Sequence, residues 1–185
     1  MTLFEYLAIA YTLVLSFAAV RLLDGLSHAL VAHRRYWVHA AYLGLMLLAT
    51  LVVFWTHWSA HELEWTFLTF AVNLSGPGVV YVLSRTLVPD DPGAVASWRD
   101  YFYSVRRRYF SGLCVWAVLM FAQTTVVLGV PLLHASRIIP VGLLIFGLSG
   151  LATDSPRAHA RIVLVAVFVA LVTAVIVFRP AALAA

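Results

Sequence analysis

The chain has no lysine, a single cysteine and little charge of either sign: 12 arginines and 8 carboxylates make up 11% of its 185 residues. Charged residues are about a quarter of an ordinary soluble domain. A deficit this deep excludes a solvated globular fold, because too few charged side chains exist to cover one. With Cys114 alone, no intramolecular disulfide, cysteine metal site or dithiol redox pair can form. A lone cysteine inside an apolar run reads as a small core residue. There is no glycine-rich phosphate loop behind a strand, and no Ser/His/Asp set can be assembled from the scattered loop residues. The sequence therefore supports no catalytic residue.

What the chain has in excess is apolar length. Hydrophobic residues are 63% of the total, and the mean hydropathy is +0.96. Six apolar stretches, at about 3–20, 36–55, 65–84, 110–130, 138–152 and 162–178, are separated by short loops. A helix of about 20 apolar residues spans a bilayer, and only helices or closed barrels satisfy their own backbone there. The expected fold is all-α: a polytopic bundle of six transmembrane helices forming a single domain over 1–185. The stretch 138–152 is the shortest and contains Pro140; residues 132–137 lengthen it, with Arg137 snorkelling outward. The first apolar run lacks a basic flank before it and reads as a retained helix, not a cleaved signal.

Arginine counts orient the bundle. One side holds Arg21, Arg34, Arg35, Arg85, Arg99, Arg106, Arg107, Arg108, Arg157 and Arg161; the other holds Arg137 and Arg179. Cytoplasmic loops carry the basic excess. Both termini are thus expected outside, in the periplasm of a bacterial inner membrane. The formal charge of +4 belongs to this bias and does not point to nucleic acid.

The residues between 85 and 109 form the one substantial loop. Pro89-Asp90-Asp91-Pro92-Gly93 is turn-rich. Ser97-Trp98-Arg99-Asp100 fits a helix start. Trp98, Tyr101, Phe102, Val105 and Tyr109 recur at helical spacing, with Arg99, Arg106, Arg107 and Arg108 on other faces. This predicts an amphipathic helix over 97–109 lying on the cytoplasmic leaflet, a dock for anionic lipid or a protein partner. Arg21, Asp24 and His28 follow the first span at spacings of three and four, so they share one polar helix face with an Arg21–Asp24 pair. The segment Arg21-Leu22-Leu23-Asp24-Gly25 is similar in part to the Arg/Phe-Ser-Asp signature of small prokaryotic six-helix potassium channels. Phe-Ser is absent and the pair ends the first span instead of starting it, so no activity is carried over.

Three further groups are candidates for chemistry. The third span carries Asn73, Ser75, Gly76, Pro77 and Gly78, where Pro77 deprives the Asn73 carbonyl of its helical donor. A kink or local unwinding is expected there, and broken helices with free carbonyls build ion sites in several transporters. Gln123 and Thr124 on the fourth span lie at comparable depth and would complete a substrate or ion path. In the second loop, His57 and His61 are four apart and Glu62 follows, a set able to hold zinc or copper. Small residues at Ala166, Ala170 and Ala174 favour close helix packing within or between subunits.

The sequence is thus read as a small, homo-oligomeric channel or carrier with no required cofactor. The alternative is an accessory or scaffold subunit of a membrane complex. A metal- or haem-binding protein with an outer-face site comes third.

Overall fold

The apolar runs fold as helices whose ends are set by capping residues and turns, not by the edges of hydrophobicity. The computed structural model describes residues 3–61, 64–127, 129–132 and 134–177. Among them are six α-helices and no strand: α1 (Leu3–Ala29), α2 (Trp37–Thr56), α3 (Phe67–Leu87), α4 (Trp98–Val126), α5 (Ile138–Leu151) and α6 (Pro156–Val177). Short 3-10 turns lie at His57–Ala60, Pro92–Ala94 and Ala135–Arg137. Thr66 caps α3 in a reciprocal box: its hydroxyl accepts from Thr69 N at 3.2 Å while Thr69 Oγ1 accepts from Thr66 N at 2.8 Å. Ser97 caps α4 through Asp100 N at 3.3 Å.

Four stretches are long and apolar enough to cross a membrane: Phe4–Ala29, Trp37–Thr56, Phe67–Ala94 and Pro156–Thr173. The helix α5 is apolar but has 14 residues, about 21 Å of rise. The helix α4 is long enough, with 29 residues, about 43 Å, but its first half carries four arginines.

Two expectations about helix continuity are corrected. The separate interfacial helix over 97–109 does not exist; α4 runs unbroken from Trp98 to Val126. The reason is local: no proline and one glycine, Gly112, occur in that stretch, so nothing stops the helix between Tyr109 and Phe110. Its aromatic face, Trp98, Phe102, Tyr109 and Phe110, is buried within the bundle instead of in a leaflet. The helix α3 is also continuous through Pro77, with no unwound segment at 76–78. A polar extension of α1 is borne out, since α1 reaches Ala29 and carries Arg21, Asp24 and His28.

The helix α3 packs between α1 and α4, α5 lies along α4, and α6 packs on α2 and α5. The α4–α5 pair is antiparallel and very close. A Cβ on Gly147 would sit 2.6 Å from Cys114 Sγ, and one on Gly150 would sit 2.2 Å from the Phe110 ring. At Gly147 the α4 backbone itself is close, at Phe110 O and Cys114 N, whereas at Gly150 the Phe110 ring occupies the space. Outside the core, large apolar side chains such as Phe17, Val20, Phe67, Val82 and Phe168 are exposed. A protein surface of this kind is stable against lipid, not water.

The contacts define two ends. At one end, the α1–α2, α3–α4 and α5–α6 connections meet. At the other lie the start of α1 and the α2–α3 and α4–α5 connections.

Candidate polar site and the arginine-rich end

Two of the candidate path residues, Asn73 and Gln123, and one candidate metal ligand, His57, form a single network at the α2–α3 end. Gln123 Nε2 on α4 donates to Asn73 Oδ1 on α3 at 2.6 Å. Asn73 Nδ2 donates to His57 Nδ1 at 3.3 Å. With Nδ1 accepting, His57 carries its proton on Nε2. Asn73 is 7% and His57 9% exposed. The imidazole is slotted between two rings of α1, Tyr11 at 3.7 Å and Phe4 at 5.3 Å between centroids. Phe4 and Tyr11 are seven apart, two helical turns, which opens a gap one ring thick. Burial in this box pushes the His57 pKa below its usual value and keeps the ring neutral.

Two donors in the box have no partner among the described residues: His57 Nε2 and Trp65 Nε1. Their rings are 6.3 Å apart, and Trp65 also lies 6.3 Å from Phe4. The involvement of Phe4, Tyr11 and Trp65 is not read from the sequence, although the seven-residue spacing on α1 is its one visible trace. Ser75 is not part of the network; its hydroxyl returns to Val72 O at 2.6 Å. Thr124 Oγ1 bonds the preceding turn at Met120 O, 2.9 Å, and also accepts from Arg137. Gly76 and Gly78 leave open space where a Cβ would stand.

The two candidate metal ligands do not point together. His61 Nδ1 is bonded to Trp58 O at 2.7 Å and its ring stacks on Trp58, whereas His57 turns to Asn73. Glu62 lies outside the described residues. No group of three His, Cys, Asp or Glu side chains able to hold a metal is found among the described residues. A further histidine pair, His39 on α2 and His159 on α6, is fully buried at the opposite end. The Phe102 ring lies edge-on to both.

Arg137 does not snorkel outward; it is 5% exposed. All five of its N–H donors are used on neutral oxygens: Pro131 O at 3.3 Å, Phe121 O at 2.9 Å, Thr125 Oγ1 at 2.9 Å, Thr124 Oγ1 and Val130 O. Its guanidinium also lies 4.3 Å from the Phe121 ring centre. The last turn of α4 is the negative pole of that helix, and Arg137 lies against it and against the carbonyls of the loop that follows, so the cation is held there. Gly129, at φ 59°, makes the reversal that brings these oxygens together.

The opposite end is organised by arginine and carboxylate. Arg21 pairs with Asp90 at 2.7 Å and donates to Val88 O at 2.9 Å, so the expected partner Asp24 gives way to the α3–α4 loop. Asp24 lies 3.8 Å from His28 instead. Arg85 reaches the same Asp90 oxygen at 2.6 Å. Arg34 donates to Gly93 O at 2.6 Å and Val95 O at 3.0 Å. Trp98 Nε1 donates to His28 O at 3.2 Å. Of the residues expected to dock lipid or a partner, Trp98 and Arg106 are buried, whereas Arg99, Arg107 and Arg108 are exposed. Arg106 is paired with Asp154 and donates to Thr153 O at 2.8 Å.

No protein-family model, curated protein or solved structure matches the chain. The functional reading therefore rests on the geometry alone.

Proposed function

We propose that this multi-pass membrane protein moves a polar solute, as a channel or carrier, through the Gln123–Asn73–His57 site. In this reading the chain crosses a bacterial inner membrane six times, with both termini outside. The arginine-rich end is then cytoplasmic and the His57 end periplasmic, in line with the basic bias of cytoplasmic loops. The length of α4 supports a crossing, and the Ala135–Arg137 turn extends α5 toward the outer face.

One observation carries the reading. The network ends at His57 Nε2, which with the nearby Trp65 Nε1 makes two buried N–H donors that have no acceptor among the described residues. A buried unsatisfied donor costs about 1–3 kcal/mol. Polar residues that only glued helices together would be selected to close on each other. An open pair of donors beside a neutral imidazole is instead suited to a passing acceptor oxygen.

The test is stopped-flow light scattering of proteoliposomes after osmotic jumps with a panel of uncharged solutes and salts. One solute class should enter, and Asn73→Leu combined with Gln123→Leu should abolish its entry without changing helical content. Undiminished flux in the double variant would remove the site. A second reading, an accessory subunit, is favoured by the exposed Arg99, Arg107 and Arg108 on α4. It predicts a stoichiometric partner in native mass spectrometry that is lost in Arg107→Glu/Arg108→Glu.

A further inference from the structure

The ring of Phe4 lies among four others at the His57 end. Its centroid is 5.3 Å from His57, 6.1 Å from Trp58, 6.4 Å from His61 and 6.3 Å from Trp65. Aromatic pairs attract at centroid distances of about 4.5–7 Å, so the box is dimensioned for one flat ring. Its chemistry suits a different occupant. His57 Nε2 and Trp65 Nε1 are buried N–H donors with no acceptor among the described residues, and a phenyl ring has no oxygen or nitrogen to offer them. Buried donors are ordinarily paired. Phe4 thus matches the box in shape and leaves its polar groups unused.

Charge and access define what would fit better. Residues 3–20 and 36–84 contain no arginine or lysine, and the charged neighbours of the box in the chain, Glu5 and Glu64, are acidic. Arg137, at the same end, has its donors committed. An anion would find no fixed counter-charge here, and a cation cannot accept from an N–H. The matching group is a neutral acceptor such as a carbonyl oxygen, whose two lone pairs can serve two donors. Phe4 belongs to the first turn of α1, where the backbone N–H groups have no partner within the helix, so its ring sits on the least tethered part of that helix. Trp58 is 68% exposed, and the box meets the surface on that side.

We propose that this box is a binding site for an uncharged planar ring bearing a carbonyl oxygen, and that Phe4 is its built-in occupant. The incoming ring displaces Phe4 with the first turn of α1, stacks in its place and sets its oxygen on the N–H donors of His57 and Trp65. Such a ring is the solute class of the Gln123–Asn73–His57 site, a role that rests on the transport reading, whereas the binding itself does not. Binding without flux would keep the box and remove the carrier. Flux that is lost in the Asn73/Gln123 double variant, with no binding, would keep the path and remove the box.

The experiment is isothermal titration calorimetry of the protein in detergent micelles, with the heat of protein-free micelles subtracted. The probes are benzamide, benzoate, acetamide and toluene. Phe4→Ala should bind benzamide about tenfold more tightly than the wild type, because the occupant no longer competes. In that variant benzoate and acetamide should bind about tenfold more weakly than benzamide, since one brings an unpaired charge and the other lacks the ring. Adding Trp65→Phe keeps a ring and deletes the N–H, so it should weaken benzamide about fivefold and leave toluene unchanged. Equal binding of benzamide and toluene would mean an apolar cavity only and would overturn the proposal. So would tighter binding of benzoate, no binding of benzamide, or an unchanged benzamide affinity in the Trp65→Phe background. The wild type gives a second test that needs no variant to fold. Millimolar benzamide should raise its unfolding midpoint more than toluene does, and equal shifts would also overturn the site.

Discussion

Arg106 and Arg137 are both buried, and they close opposite ends of the same α4–α5 hairpin by different means. Arg106 has a carboxylate, Asp154, and two backbone carbonyls. Arg137 has five neutral oxygens and an aromatic face. Asp154 is exposed, so the pair at the first end remains open to solvent. At the second end the guanidinium has only neutral oxygens, from the last turns of α4 and from the loop that follows it. Where a loop supplies an acid, the guanidinium takes it. Where the chain offers only a helix terminus, the same side chain becomes a cap.

The largest effect should come from breaking the neutral clamp. Arg137→Leu removes five hydrogen bonds and leaves Val130 O without another donor among the described residues; it should destabilise the protein by about 3 kcal/mol, read as thermal unfolding in detergent. Arg137→Lys should recover only part of this, because three donors cannot serve five oxygens. If Arg137→Leu is no worse than Arg106→Leu, the proposed contrast between the ends fails.

Between the clamps, close packing can be tested alone. Gly150→Ala drives a methyl into the Phe110 ring and should cost about 2 kcal/mol. Gly142→Ala on the same helix meets open space and should change stability by less than about 0.5 kcal/mol. Equal effects would deny the close approach of α4 and α5.

At the ion-paired end, Asp154→Asn should cost only about 1 kcal/mol, because water reaches the site and replaces much of the carboxylate. A loss as large as that of Arg137→Leu would show that Asp154 is buried by something further.

The smallest effect is a dependence on pH at the His57 end. The folded protein holds His57 neutral, while the unfolded chain titrates near the ordinary value of 6.5. The unfolded state then binds more protons, so this contribution is complete above 6.5 and is lost as the pH falls below it. Unfolding midpoints between pH 8 and 5 should show this slope, and His57→Phe should flatten it. A slope that persists in His57→Phe would assign it elsewhere.

Much of the helical layout was legible before any coordinates. Apolar runs, Pro and Gly positions and the cap at Ser97 located the helices to within a turn at most ends. The comparable depth of Asn73 and Gln123 was also readable, but depth alone does not tell that the two side chains bond each other. His57 was legible only as a residue of interest. Its proposed partners, a second histidine and a glutamate, came from spacing along one helix. The chain turns His57 inward and His61 back on its own turn, and spacing cannot express that.

The sequence by itself determined that this is a helical membrane protein, which end gathers the arginines and which polar residues lie within the spans. Those properties follow from composition and periodicity, because lipid tolerates only internally bonded, apolar-faced segments. Only the tertiary structure decided that Arg21 chooses Asp90 over Asp24, that Arg106 finds Asp154, that Arg137 caps α4, and that His57 enters a slot on α1. Each is a choice among partners distant in the chain. Such choices depend on which helices become neighbours and at what register, and no local pattern records that.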